Sequence, residues 1–293
     1  MFAITGITGQ VGGVVARQLL AQQHDVRAVV RDAKKGAAWA GAGCEVALAN
    51  MEDAQALTRA FAGAEGVFVL LPPNFDPSPG FPESRRIIAA LREALEAARP
   101  RKVVCLSTIG AQAEEANLLQ QLRIMEQELG TLSMPVAFLR AAWFIENAMW
   151  DVEPASTTGI VPGFLQPLER AVPMVATADI GRVAAQLLGE TWVGRRVVEL
   201  EGPRRVSPDD LAAAFGHLLG RDVRAQAVPR DTWESLFRAQ GMRNPAPRIQ
   251  MLDGFNEGWI RFEASEAETM KGAVTVETVL RGLIGRAPAA TCT

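Results

Sequence analysis

Residues 2–21 read FAITGITGQVGGVVARQLLA, and this stretch decides the fold. A short apolar run, Phe2 to Thr5, ends in glycines at 6, 9 and 12, and from Val11 the apolar residues Val14, Val15 and Leu19 recur three and four apart. That is a strand, a glycine turn and an amphipathic helix. Such a turn aims free backbone N–H groups outward at a helix N-terminus, where the helix dipole favours an anion. Glycine has no Cβ, so a diphosphate can approach the main chain. Gly12 and Gly13 fall on the first helical turn and are small enough to let the helix lie against the strands. Glycines that merely join two elements would look similar, and the spacing is GxxGxxG rather than GxGxxG. The strand before, the helix after and a second strand downstream favour a dinucleotide cradle.

Working outward, short apolar runs alternate with helical patterns. Strands are expected at Val26–Val30, Cys44–Leu48, Gly66–Leu71, Val103–Ser107 and Val136–Leu139, and helices at about Ser84–Ala98 and Asn117–Leu129. This order predicts an α/β fold, a doubly wound parallel sheet of Rossmann type with a smaller, mostly helical C-terminal domain. Residues 1–150 form the dinucleotide-binding domain, with 176–203 returning to it; 151–175 and 204–293 form the smaller substrate or lid domain. The Pro-, Gly- and Thr-rich stretch from Trp150 to Pro173 reads as a covering loop or short hairpin. Ser207 and Asp210 are spaced like a capping box that opens a helix. Leu252, Phe255, Trp259 and Phe262 have helical spacing and read as core of the small domain, within a helix expected over Arg248–Phe262. The tail from Ala287 to Thr293 is expected to be disordered.

Thirty basic and 33 acidic residues leave a net charge of −3 over 293 residues, which offers no broad basic footprint for nucleic acid. Three cysteines, Cys44, Cys105 and Cys292, form no CxxC pair, and the two histidines, His24 and His217, lack a ligand cluster. Neither a disulfide framework nor a metal site is expected. The N-terminus has no basic leader and no apolar run reaches membrane-spanning length, so a cytoplasmic location is expected. Tyrosine is absent altogether, which excludes any mechanism that uses a phenol of this chain.

The type of dinucleotide is read at the end of the second strand. A carboxylate there would bind the adenosine ribose, whereas a cation accommodates a 2′-phosphate. The strand VRAVV ends in Arg31, and Lys34 and Lys35 follow, giving up to three positive charges. NADP(H) is therefore expected over NAD(H). Asp32 keeps the ribose alternative open, and a plain solvated turn would also suit these four residues.

In order, TGITGQVGG (5–13), VRAVVRD (26–32), GVFVLLPP (66–73), KVVCLSTIGA (102–111), FLRAAWFIEN (138–147) and VATADIG (175–181) resemble the NmrA-like group of atypical short-chain dehydrogenase/reductase proteins, and EGPRRVSPDDLAAAFGHLLG (201–220) extends the likeness. The resemblance implies an NADP(H)-binding Rossmann domain and a cleft against a small C-terminal domain. By that likeness Thr8, Gly9, Gln10 and Val11 surround the pyrophosphate and Arg31 the 2′-phosphate; Gly6 and Gly12 of the glycine turn and Lys35 of the basic run complete the expected cofactor-binding residues. Asn50 and Met51 lie near the adenine, Leu71 and Pro72 along the ribose, and Ser107, Thr108 and Ile109 near the nicotinamide. Typical members of the wider superfamily use a Tyr-x-x-x-Lys pair on the helix after the fifth strand. Here that helix, ANLLQQLRIMEQELG (116–130), has neither residue.

Hydride transfer without a protein acid remains feasible for an acceptor whose oxyanion is stabilised by conjugation. A reductase of a small apolar acceptor, such as a quinone or enone, is the expected function. The alternative is a non-catalytic NADP(H) redox sensor that contacts a regulatory protein. Trp143, Phe144 and Trp150 could form an apolar wall with Asn147 as a polar contact, and Asn74 and Phe75 could close the other side. Interdomain packing would account for the same aromatics. Arg123 and Glu126, three apart, read as an ordinary exposed helical pair.

Overall fold

A computed structural model of the chain describes residues 1–286, so the expectation of a disordered tail at 287–293 lies outside the described residues. The first half alternates strand and helix as the periodicity requires. It runs β1 (Phe2–Ile4), α1 (Gln10–Ala21), β2 (Val26–Val30), α2 (Ala33–Gly41), β3 (Glu45–Leu48), α3 (Ala54–Phe61), β4 (Gly66–Val69), α4 (Pro82–Ala98), β5 (Lys102–Thr108), α5 (Gln120–Leu129) and β6 (Val136–Ala141). There follow β7 (Trp143–Phe144), a 3₁₀ helix (Ile145–Asp151), α6 (Val152–Thr157), β8 (Ile160–Gly163), β9 (Met174–Val175), α7 (Thr177–Gly189) and β10 (Arg195–Glu201). The C-terminal third holds α8 (Pro208–Leu219), β11 (Arg224–Ala227), α9 (Trp233–Ala239), α10 (Ala246–Glu257), β12 (Met270–Lys271) and α11 (Val276–Ile284).

Eight strands form one parallel sheet in the order β12-β10-β6-β5-β4-β1-β2-β3. Both faces are buried, and successive side chains alternate between two cores. Phe2 and Ile4, Phe68, Val104 and Leu106, and Ala137 and Leu139 point into one core, which α1 and α7 cover. Ala3, Val67 and Val69, Val103 and Cys105, and Val136 and Phe138 point into the other, beneath α3, α4 and α5. The period of two on a doubly covered sheet explains why these strands read as unbroken apolar runs.

The sequence order of the strands reverses between β1 and β4, and this places a crevice above their C-terminal ends. Thr5 fastens that junction: its buried hydroxyl donates to the Phe68 carbonyl at 3.0 Å and accepts from the Leu70 amide at 2.9 Å. On the α1 side, Gly181 of α7 lets the two helices meet closely, since a Cβ there would lie 3.0 Å from the Val11 carbonyl oxygen and overlap Val14.

Three sequence expectations change. The 150–173 stretch is a loop only in part: the 3₁₀ helix ends at Asp151, α6 and β8 follow, with β8 pairing in parallel with the distant β11, and residues 164–173 form no helix or strand. The helix expected over 248–262 stops at Glu257, because Gly258 takes a left-handed φ of 87° that terminates it. Trp259 then folds back against Gly254. Within 176–203, β10 joins the main sheet beside β6, but β12, from a region assigned to the small domain, also joins it as its edge. The capping box of Ser207 and Asp210 is present at the start of α8.

Candidate cofactor and acceptor site

The glycine turn is the first component. Gly6 adopts φ of 62°, which only glycine takes without strain, and Thr8, Gly9 and Gln10 are exposed at the crevice. A Cβ on Gly12 would overlap the Gly6 carbonyl and come within 2.9 Å of the Ile7 nitrogen. The glycine is thus required by the turn itself. Gly9 caps α1 without any side-chain hydrogen bond, and among the described residues the amides of Gln10, Val11 and Gly12 have no acceptor. Uncapped first-turn donors beside a Cβ-free backbone fit a diphosphate.

At the end of β2, Arg31, Lys34 and Lys35 are exposed, and none makes an ion pair among the described residues. Asp32, the competing ribose ligand, is the N-cap of α2 and accepts the Lys34 amide at 2.8 Å. Its carboxylate is therefore already engaged, which weakens the ribose alternative. Asn50 is exposed after β3 and Met51 is buried beside it; Leu71 is buried and Pro72 half-buried after β4. All of these lie at the C-terminal edge of the sheet, around the same crevice.

At the end of β5, Thr108 is half-buried and Ile109 buried. The Ser107 hydroxyl is turned inward, donating to Glu126 of α5 at 2.6 Å. This overturns the reading of Arg123 and Glu126 as an exposed pair. Arg123 instead donates to the Ala113 carbonyl and reaches Glu114, while Glu126 is buried and takes a two-pronged contact from Arg140 of β6 at 2.9 and 2.8 Å, with Arg195 at 3.1 Å. Arg140 also bonds Glu199 of β10 and Glu263. Burial opposes the charge on Arg140, but its bonds to Glu126 and Glu263 outweigh it and hold the guanidinium above its ordinary range. Glu199 in turn accepts the amides of Glu263 and Ala264 at 3.1 and 2.9 Å. The cluster thus links the end of β5 to the 263–264 segment. It was invisible in the sequence because its members come from β5, α5, β6, β10 and a loop.

The expected acceptor residues divide. Trp143 is half-buried and meets Phe255 edge-on, ring centres 5.3 Å apart; Phe144 is half-buried in β7. Asn74 is half-buried and its carbonyl accepts from Gln121 at 3.0 Å. Trp150, 78% exposed, is not part of an apolar wall, and Phe75 and Asn147 are also exposed. The 3₁₀ helix explains this, because it turns Trp150 away from the side on which Ile145 and Ala148 pack. Phe255 lines a cleft of about 1200 Å³ bounded by residues 112–115, 170–173 and 257–265 with Arg205. The cleft opens beyond the ends of β5 and β10; Trp143 does not line it but touches Phe255, which does.

Three further contacts tie the surrounding loops together. Asp76, after β4, accepts the amides of Arg243 and Asn244 at 3.0 and 2.7 Å, and these bonds hold its carboxyl below the usual range. The Leu118 amide donates to the Pro247 carbonyl at 2.9 Å. Glu146 accepts the Thr177 amide and hydroxyl at 2.9 and 2.6 Å, and that hydroxyl lies 3.2 Å from Gln10 of the glycine turn. Burial raises the Glu146 carboxyl, with the Thr177 bonds opposing. Among the described residues no helix is long and apolar enough to cross a membrane, and no group of three His, Cys, Asp or Glu side chains could hold a metal.

The NAD(P)H-binding family model matches residues 6–191, more than half of the chain. An NAD(P)H azoreductase from Xenophilus azovorans is 26% identical over 259 residues, covering 88% of this chain and 85% of that protein. Quinone oxidoreductase 2 from Escherichia coli (strain K12) is 26% identical over 244 residues, covering 83% and 82%. The NADPH complex of an NADPH-dependent quinone oxidoreductase from Escherichia coli superposes with a TM-score of 0.81 at 22% identity, over 97% of this chain and 99% of that one. At that identity the superposition speaks to the fold, and it agrees with the sheet and crevice described above. Glycine turn, strand order and family match agree: the chain belongs to the NAD(P)H-binding family, within the NmrA-like class of atypical short-chain dehydrogenases/reductases.

Proposed function

We propose that this protein is an NADPH-dependent reductase of small, apolar, conjugated acceptors of the quinone type. The observation that carries the reading is the uncapped first turn of α1 on a glycine backbone, at the point where the strand order reverses. The amides of Gln10, Val11 and Gly12 hold the diphosphate, and Gly6, Thr8 and Gly9 leave it room. Arg31 and Lys35 take the 2′-phosphate, which favours NADP(H) over NAD(H). Asn50 and Met51 border the adenine, Leu71 and Pro72 the ribose, and Ser107, Thr108 and Ile109 the nicotinamide. Trp143 and Phe144 supply an apolar surface for the acceptor, and Asn74, Phe75 and Asn147 lie at its rim. The cofactor, when bound, supplies the hydride.

The residues on hand favour an acceptor that can take its proton from water. The helix that would carry a Tyr-Lys pair instead turns Glu126 into the buried Arg140 cluster. A quinone becomes a stabilised oxyanion on accepting hydride, so a protein acid is dispensable. The azoreductase and quinone oxidoreductase activities of the two relatives support this acceptor class. The buried thiols Cys44 and Cys105 suit a reducing, cytoplasmic setting.

The test follows NADPH consumption at 340 nm with 1,2-naphthoquinone, with Arg31→Ala in parallel. Turnover is expected, with the NADPH-over-NADH preference in kcat/KM falling about tenfold in the variant, the size of one charge-assisted contact. No turnover with quinones, enones or azo dyes refutes the reading. If cofactor still binds, and NADP+ and NADPH differ in affinity, a redox-sensing protein takes its place.

A further inference from the structure

Arg248, at the start of α10, differs in its surroundings from the other half-buried arginines. Its guanidinium lies 4.4 Å above the Phe237 ring, and among the described residues its one polar contact is the Met242 sulfur at 3.8 Å. No carboxylate lies within ion-pairing distance among the described residues. Arg170, also half-buried without an acid, differs in donating to the Gln166 and Phe255 carbonyls at 2.9 and 2.6 Å. A guanidinium has five donors in a fixed fork, and a thioether is a weak acceptor for one of them. Burial without an opposing charge pulls the Arg248 guanidinium below its ordinary range, but it stays charged at neutral pH. A half-desolvated cation with most of its donors unspent is costly for the fold alone.

The position of Arg248 is fixed by its neighbours in sequence. Asp76 from the loop after β4 holds the amides of Arg243 and Asn244, and Leu118 from the loop after β5 bonds the Pro247 carbonyl. Both loops leave the C-terminal edge of the sheet. Along α10, Arg248 shares a helical face with Leu252 and Phe255, and Phe255 contacts Trp143. These bonds set the start of α10 beside the loops that leave the C-terminal edge of the sheet after β4 and β5, the side on which the proposed acceptor site lies.

We infer that Arg248 is an oxyanion subsite of the acceptor site, which takes a carboxylate, sulfonate or phosphate group carried by a conjugated acceptor. The inference rests on the proposed acceptor site and adds its charge preference. Phe237 holds the guanidinium plane from one side, leaving the fork free for a two-pronged contact.

The test uses the full chain saturated with NADP+ and, as probe, 2-naphthalenesulfonate, whose binding is measured calorimetrically. Arg248→Met is expected to weaken binding at least tenfold, and Arg248→Lys less. In turnover, Arg248→Met is expected to lower kcat/KM for 1,2-naphthoquinone-4-sulfonate at least tenfold through KM. The value for neutral 1,2-naphthoquinone should stay within twofold, as should KM for NADPH. Equal loss for both quinones would mark Arg248 as structural, and unchanged sulfonate binding in Arg248→Met would overturn the subsite. If neither quinone is turned over, the proposed function fails, while the calorimetry still decides the subsite.

Discussion

Replacing Arg140 by methionine tests whether the buried charge cluster holds the acceptor end of the sheet together. Arg140 and Glu126 are each 3% exposed, and the Glu199 side chain 5%. Breaking such a buried pair by removing one partner costs about 3–5 kcal/mol, because the remaining charge is left without its counter-ion. Here the cost falls near the lower end. Glu126 keeps Arg195 and the Ser107 hydroxyl, and Glu199 keeps the amides of Glu263 and Ala264. A loss of about 3 kcal/mol lowers the thermal midpoint by roughly 5 °C in a chain of this size. Urea denaturation at pH 7, followed by far-ultraviolet circular dichroism, measures the free energy, and calorimetry the midpoint. Adding Glu126→Gln to Arg140→Met is expected to recover part of the loss, since it removes the stranded carboxylate. Glu263→Gln, whose side chain is 59% exposed, is expected to cost under about 1 kcal/mol. If Arg140→Met costs under about 1 kcal/mol, or Glu126→Gln makes it worse, the assignment of stability to this cluster is wrong.

Other outcomes follow from single features. Gly12→Ala forces a Cβ onto the Gly6 carbonyl, so the calorimetric Kd for NADPH is expected to rise at least tenfold; unchanged affinity would count against the turn as the diphosphate site. Burial pushes the Asp151 carboxyl up to about 7, so the protonated form is the one folding favours. The stability this gives is complete below about pH 4 and is lost as pH rises toward 7. Asp151→Asn, which stays neutral, should match the wild type at pH 4 and exceed it at pH 8 by up to about 4 kcal/mol, less to the extent that the half-buried carboxyl is solvated; a pH-independent difference in urea titrations would contradict this. Asp76→Ala removes the bridge to Arg243 and Asn244, and hydrogen exchange in residues 72–81 and 242–245 is expected to quicken about tenfold, with α1 unaffected.

The parts legible in the sequence are those written in local spacing. The glycine turn, the apolar strands and the α8 capping box each depend on residues a few positions apart, and each stands where its pattern placed it. Arg123 and Glu126 show where local spacing misleads. Three apart on α5, they could pair, yet β6 brings Arg140 across the sheet and Glu126 turns inward to meet it. Asp32 was ambiguous for a similar reason, because capping α2 and binding ribose call for the same side chain, and only the observed bond to Lys34 separates them. Trp150 looked like part of a wall by composition, and the direction of a 3₁₀ helix cannot be read from composition. The Arg248 environment has no signature in the sequence, because its defining property is the absence of a carboxylate partner among the described residues.

The parallel edge pairing of β10 with β12 has a further consequence. Leu200 and Glu201 lie beside Met270 and Lys271, so the polypeptide from Gly202 to Thr269 leaves and re-enters the sheet at adjacent points, roughly 5 Å apart as neighbouring strands are. Topologically it is an insertion. On the proposed function, an exchange of this cassette, carrying Arg248 and Phe255, is expected to change which acceptor is reduced, while the first 201 residues keep their own connectivity.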